Sequence, residues 1–243
     1  MQEVIKHMNQ LKLYGMSRSY QTLVETGKVG ALTNEEALEL LLQSEWEDRQ
    51  QRKINRHLRY ARFRYQSSVE QTDFAPARNL DKSQFLRLAE GSYILRKEDV
   101  LITGPTGVGK SFLASALGHQ ACQQGYKVVY YNTQKLFARL KMAGGDGTYY
   151  KEVGKIEKQD LLILDDFALT PMDQYQRNTL MEIIEDRHGR ASTIVSSQLP
   201  VASWYEVIGE STIADAILDR LAHKAHRIEL KGGSMRKTIQ KEK

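Results

Sequence analysis

The stretch LITGPTGVGKSFLASAL limits the possible fold more than any other part of the chain. Gly104, Gly109, Lys110 and Ser111 stand in the spacing G-x-x-x-x-G-K-S, between a short apolar run and a helix-forming segment. Such a loop works where a buried strand ends and a helix begins. The glycines let successive backbone amides curl around phosphate oxygens, and the helix N-terminus adds its partial positive charge. Lys110 is spaced to reach the β and γ oxygens, and Ser111 to offer its hydroxyl to Mg²⁺. The candidate nucleotide-binding residues are Gly104, Pro105, Thr106, Gly107, Val108, Gly109, Lys110, Ser111 and Phe112, with ATP and Mg²⁺ as the expected ligands; GTP fits the loop chemistry equally well.

The segments DVLITG, YKVVYYN, DLLILDD and ASTIVSSQ read as short buried strands separated by helix-length stretches. That alternation predicts an α/β fold with a parallel sheet. LLILDDF ends a buried strand on two acids, which by itself is an ordinary strand-to-turn boundary. Downstream of a phosphate loop it acquires a chemical reading. Asp165 would hold the Mg²⁺ shell, and Asp166 would orient or deprotonate an attacking water. TIVSSQLP places a polar side chain at a third strand end; Gln198 is the first choice for a contact to the γ-phosphate or the water, and Ser197 the second. A last helix, TIADAILDRLAHKA, leads to HRIEL and a basic tail.

Residues 1–68 read differently. They contain no proline and only three glycines, Gly15, Gly27 and Gly30, so they are expected to be helical. LTNEEALELLLQSEWEDRQQ starts with a cap at Thr33 or Asn34 and runs on as one long helix or two broken ones. QSSVEQTDFAPARNLDKSQ, poor in large apolar residues and carrying Pro76, reads as a linker. The expected domains are a small all-helical N-terminal domain over 1–68 and an α/β domain over 69–243.

Across the junction lies RQQRKINRHLRYARFRY, residues 49–65, with seven Arg or Lys and no carboxylate. Wound as a helix, it puts Ile54, Leu58, Ala61 and Tyr65 on one face, with Arg49, Arg52, Lys53, Arg56 and Arg59 mostly opposite. A solvated amphipathic face is the ordinary reading of such a run. The absence of acidic i,i+4 partners to balance the charge, and Tyr60 and Phe63 on its basic side, weigh against that reading and leave phosphate contacts with nucleic acid as an equal alternative. Tyr60 and Phe63 have packing on the ATPase domain as an equal alternative.

The formal net charge of +5 permits an anionic partner without requiring one. The single cysteine, Cys122, excludes an intrachain disulfide, and the six histidines have no ligand spacing, so no metal site built by protein alone is expected. The N-terminus lacks the apolar stretch of a signal peptide and no run is long enough to span a bilayer. A soluble, cytoplasmic protein without a membrane partner is the expectation.

Phosphate loop, acidic strand and polar strand end in this order resemble the AAA+ ATPases, which implies that 69–243 is an AAA+ ATPase domain closing with a short lid-like segment and 1–68 a DNA-binding or assembly domain. With LKLYGM, GPTGVGKS, LLILDDF, TIVSSQLP, ILDRLAHKAHRIEL and GGSMR together, nearly the whole chain resembles the IstB-like transposition helper ATPases of insertion sequences, relatives of the DnaC-type replicative helicase loaders. The resemblance implies that Arg220 is an arginine finger reaching a neighbouring subunit's ATP, and Arg236 a second sensor within the subunit. Without it, Arg220 reads as a surface ion pair with Asp219 or Asp215. It further implies a helical or ring-like homo-oligomer on double-stranded DNA, a transposase as partner, and a second DNA region around Arg139, Lys141 and GGDGTYYK. Two positions depart from the AAA+ pattern: Asp166 stands where Glu is common, and Gln198 where Asn or Thr is usual. A helicase loader is the alternative with the same machinery; a monomeric small-molecule kinase would leave the basic stretch unexplained.

Overall fold

A computed structural model describes residues 2–235. The chain divides into two compact units, Met1–Arg56 and His57–Lys243. The division therefore falls earlier than the boundary at 68 drawn from composition. The reason is packing: Ala61 is fully buried and Phe63 packs against the core of the second unit, so the end of the basic stretch belongs to the α/β fold.

The first unit is helical. Helices α1 (Gln2–Gln10) and α2 (Tyr14–Glu25) precede α3 (Asn34–Ala61), one continuous helix of 28 residues. Thr33 and Glu36 start α3 with a reciprocal cap: the Glu36 amide donates to Thr33 Oγ1 and the Thr33 amide to Glu36 Oε2. Polar contacts hold α2 to α3. The buried Glu45 carboxylate accepts the amides of Gly15 (2.8 Å) and Met16 (3.3 Å), an anion set on the N-terminal turn of α2.

In the second unit, α4 (Lys82–Ala89) and α5 (Ser92–Arg96) lead into β1 (Val100–Thr103), α6 (Lys110–Gln123), β2 (Val128–Asn132), α7 (Thr133–Gly145) and α8 (Tyr149–Glu157). Then follow β3 (Leu161–Phe167), α9 (Gln174–Arg187), β4 (Ser192–Ser197), α10 (Trp204–Ile208), α11 (Ser211–Ala222) and β5 (His226–Glu229). The strands form one parallel sheet in the order β2-β3-β4-β1-β5. Successive strand residues face opposite sides. Ile102, Tyr130, Ile163 and Ile194 join a core with α6, while Leu101, Val129, Leu162, Leu164 and Val195 join one with α7, α8, α9 and α11. With both faces covered, the strands read in sequence as unbroken apolar runs rather than alternating ones. Every β–α connection starts at the same sheet edge, so the phosphate loop after β1, the acids of β3 and the polar end of β4 converge there.

Helix α6, which carries the phosphate loop's Lys110 and Ser111, is buried on nearly all sides. Gly118 is required there: a Cβ would lie 2.7 Å from Ile163 Cδ1 and 2.5 Å from the Phe63 ring. Among the described residues no helix is long and apolar enough to cross a membrane.

Candidate nucleotide and DNA sites

The loop between β1 and α6 is closed by backbone geometry that side chains resist. Gly109 has φ +97°, and a Cβ there would meet Arg78 Nη2 at 2.8 Å. Lys110, itself buried, turns its ammonium onto the carbonyls of Gly104 and Pro105, both at 2.8 Å. Ser111 Oγ donates to Asp165 Oδ1 at 2.9 Å, joining the phosphate loop to the acidic strand. The wholly buried Asp165 also accepts from Ser196 Oγ and from the Tyr130 hydroxyl. Burial first, and the neighbouring Asp165 charge second, push the Tyr130 phenol upward, which keeps it a donor to that carboxylate. Thr133 Oγ1 ties down the Asp165 carbonyl at 2.9 Å.

Asp166 lies beside this network in an unusual conformation. Its φ is +54°, and the β3–β4 register shifts between Leu164 and Phe167. For a residue with a Cβ the left-handed region costs about 1 kcal/mol or more. The bulge turns Asp166 to the open end of the sheet, where its side chain is 23% exposed. Asp166 Oδ2 accepts from Asn132 Nδ2 at 3.0 Å and from Arg64 Nη1 at 3.1 Å. Gln198 is close by and accepts from Thr106 Oγ1 at 2.6 Å. Ser197, the second choice at that strand end, is fully buried and donates to the Phe167 carbonyl.

A cavity of about 360 Å³ opens among these groups. Gly107, Gly109, Lys110, Ser111, Phe112, Thr106, Asp166 and Gln198 line it, together with residues that the sequence did not flag: Tyr65, Gln71, Asp73 and Arg78. Val108 is buried beneath it. Arg78, from the segment that composition marked as a linker, donates through Nη2 to the Val108 carbonyl at 2.8 Å and through Nη1 to the Asp73 carbonyl. Burial lowers the affinity of its guanidinium for the proton, with Asp73 opposing. Nothing in PARN distinguishes it in sequence, because its partners are backbone oxygens. The Met235 amide donates to the Gly107 carbonyl at 3.0 Å, so Ser234 and Met235 of the GGSMR segment lie on the phosphate loop. Arg236 is outside the described residues.

The residues fit ATP with Mg²⁺. The loop offers a glycine cradle that a Cβ would obstruct, a lysine and a helix N-terminus. Ser111 Oγ and Asp165 are the hard oxygen donors that Mg²⁺ takes in small number, leaving its other positions to phosphate and water. Among the described residues no cluster of three His, Cys, Asp or Glu could hold a metal on its own.

Arg220 is not brought to this cavity. Its Nε pairs with Glu185 of α9 at 2.6 Å, rather than with Asp215 or Asp219, and its Nη1 donates to the Ala216 carbonyl. It lines a separate hollow with Lys97, Asp99, His188 and Lys224.

The basic stretch divides. Arg49 pairs with Glu45 (2.7 Å) and Arg52 with Asp48 (2.6 Å), both at i,i+4, so the stretch does have acidic partners. Glu45 and Asp48 lie just upstream of Arg49, outside the run that lacks carboxylates. Lys53, Arg56 and Arg59 are exposed on α3, which ends at Ala61. Residues 62–65 are not helical, so Tyr65 leaves the predicted face and enters the nucleotide cavity instead. Phe63 stacks on His119 with centroids 4.4 Å apart, whereas Tyr60 is exposed. Arg139 pairs with Glu152, and Lys141 stands 6.0 Å from the Tyr175 ring.

A family model for IstB-like ATP binding proteins (IstB_IS21) matches residues 6–243. The insertion-sequence ATP-binding protein y4pL of Sinorhizobium fredii is 46% identical over 230 residues, spanning 95% of this chain and 94% of the relative. The IS21 ATP-binding protein of Pseudomonas aeruginosa is 32% identical over 236 residues, 97% of this chain and 89% of the relative. Among solved structures, DnaI aligns over 73% of this chain and 94% of its own with a TM-score of 0.59 at 21% identity. The DnaC helicase loader aligns over 72% and 99%, with a TM-score of 0.53 at 18% identity. At these identities the structural matches show a shared fold and nothing finer.

Proposed function

The chain belongs to the IstB-like ATP-binding proteins of IS21-type insertion sequences, and from that premise we propose that it is an ATP-hydrolysing, DNA-binding regulator of transposition. It would assemble on double-stranded DNA in its ATP form, select or remodel the target, and stimulate the transposase of the same element. The observation that carries the ATPase reading is the 2.9 Å bond between Ser111 and Asp165, which joins the phosphate loop to the strand that bears Asp166.

Nucleotide binding requires Lys110 to exchange its bonds to the Gly104 and Pro105 carbonyls for β and γ phosphoryl oxygens. Ser111 and Asp165 would hold Mg²⁺, which when bound neutralises charge on those oxygens. Asp166 orients the attacking water and takes its proton as oxygen bonds to the γ phosphorus. The β–γ bridging bond then breaks and ADP leaves. Gln198 exchanges Thr106 for a contact to the γ-phosphate or the water. Arg220, held away from its own cavity, is suited to a neighbour's, where a guanidinium stabilises the transferring charge. Lys53, Arg56 and Arg59 provide backbone contacts, which multiply with each subunit added and carry little sequence preference.

The Asp166→Asn variant tests the hydrolytic assignment: it should bind ATP normally and turn over ~10²-fold or more slowly, remaining locked on DNA. Unchanged turnover would assign the water to another residue. The transposition reading is tested by strand transfer with the element's transposase, donor ends and target DNA. ATP-dependent stimulation by the chain supports it. No stimulation, with capture of a replicative helicase instead, would replace it by helicase loading.

A further inference from the structure

Arg64 belongs to no sequence motif, yet it reaches the acidic strand end. Its Nη1 lies 3.1 Å from Asp166 Oδ2 and 3.7 Å from Asp165 Oδ2, so one guanidinium faces both carboxylates. The chain on either side is anchored. Phe63 stacks on His119 and fills the space that Gly118 leaves, and Ser67 Oγ donates to the Phe112 carbonyl at 3.2 Å. Tyr65, the next residue, lines the nucleotide cavity. An ion pair between two solvated side chains would contribute little. This one differs because Asp165 is wholly buried and Asp166 is the group assigned to the water.

Asp166 is one methylene shorter than the glutamate common at this position in AAA+ proteins, so it has less reach to correct an error of placement. Among the described residues both of its side-chain hydrogen bonds fall on Oδ2, one from Asn132 and one from Arg64. The amide contributes a neutral bond, and the guanidinium a charge-assisted one with fixed planar geometry. Together they fix one oxygen and leave Oδ1 to the water.

We propose that Arg64 is a positioning residue for Asp166: it holds the short carboxylate in the orientation that hydrolysis needs. The proposal rests on the reading of Asp166 given above. A loosely held base loses rate without losing substrate affinity, because the nucleotide contacts are made elsewhere.

The test uses the full chain with Arg64→Gln and Arg64→Lys, measuring single-turnover hydrolysis and binding of a fluorescent non-hydrolysable ATP analogue. Arg64→Gln should lower kcat by ~10-fold or more, with KM and analogue affinity within about twofold. Arg64→Lys should recover part of the rate, since it restores charge without the planar fork. In an Asp166→Asn background, Arg64→Gln should cost nothing further, because its effect passes through the lost carboxylate. A rate unchanged or raised in Arg64→Gln, a loss of analogue binding, or full additivity with Asp166→Asn would each overturn the proposal. The two readings fail separately. A slow Asp166→Asn with a fully active Arg64→Gln removes only the role of Arg64, whereas a fully active Asp166→Asn removes both.

Discussion

The ion pairs along α3 separate its basic residues into two kinds, and salt dependence of DNA binding should distinguish them. Lys53 and Arg56 are exposed, while Arg49 and Arg52 are held by Glu45 and Asp48. Changing Lys53 and Arg56 to Gln keeps helix propensity nearly constant. Each phosphate neutralised on duplex DNA contributes about 0.9 to the slope of log K against log salt, so losing two lowers the slope by about 1.8 per subunit. Over a fourfold rise in salt, that is about a twelvefold difference in how much affinity is lost. Changing Arg49 and Arg52 to Gln should move the slope by clearly less, because their charge is already engaged. It should instead cost on the order of 1–2 kcal/mol of stability, since the buried Glu45 loses its charged donors. The assay is fluorescence anisotropy on unrelated duplexes between 50 and 200 mM salt (~ the range over which the slope is well defined), with a non-hydrolysable ATP analogue present. An unchanged slope for Lys53→Gln with Arg56→Gln, or a larger change for the Arg49 and Arg52 pair, would refute this division of the helix.

Lys110→Ala should abolish productive nucleotide binding and the assembly that depends on it; normal analogue affinity would remove the basis of the site. Arg220→Ala should cut hydrolysis yet leave analogue binding intact, and mixing it with Lys110→Ala protein should restore part of the activity. Rescue requires an interface with an intact loop on one side and an intact finger on the other, so its absence at every ratio would place the action of Arg220 within its own subunit. The α2–α3 contact should be sensitive to acid. Burial alone would raise the Glu45 and Asp48 carboxyls, but Arg49 with the Gly15 and Met16 amides, and Arg18 with Arg52, outweigh it and hold both below the usual range. Their stabilisation is thus complete above the ordinary carboxyl pKa and lost as pH falls through the depressed values. Thermal melts across pH 7 to 3 (~ the window set by ordinary carboxyl values) should show a fall that Glu45→Gln reduces; equal acid sensitivity in that variant would contradict the assignment.

What the sequence determined by itself is what depends on neighbours along the chain. The loop from Gly104 to Ser111 is legible because its glycines, lysine and serine act through one short backbone turn. The strands ending at Asp165 and Ser197 are legible because burial on both faces turns them into unbroken apolar runs. The Glu45–Arg49 and Asp48–Arg52 pairs are local as well, at helical spacing across the upstream edge of the basic run. Tertiary structure alone decided the rest. Arg64, Arg78, and Tyr130 with Asn132 of β2 reach the site from three separate segments, and their partners are distant carboxylates or backbone oxygens that leave no spacing in the sequence. The same holds for Arg220, whose partner Glu185 comes from another helix rather than from the nearby aspartates. Even the division at Arg56 was set this way. A helix that runs on to Ala61 shows no break in sequence, and only the burial of Ala61 and the packing of Phe63 assign its end to the α/β core.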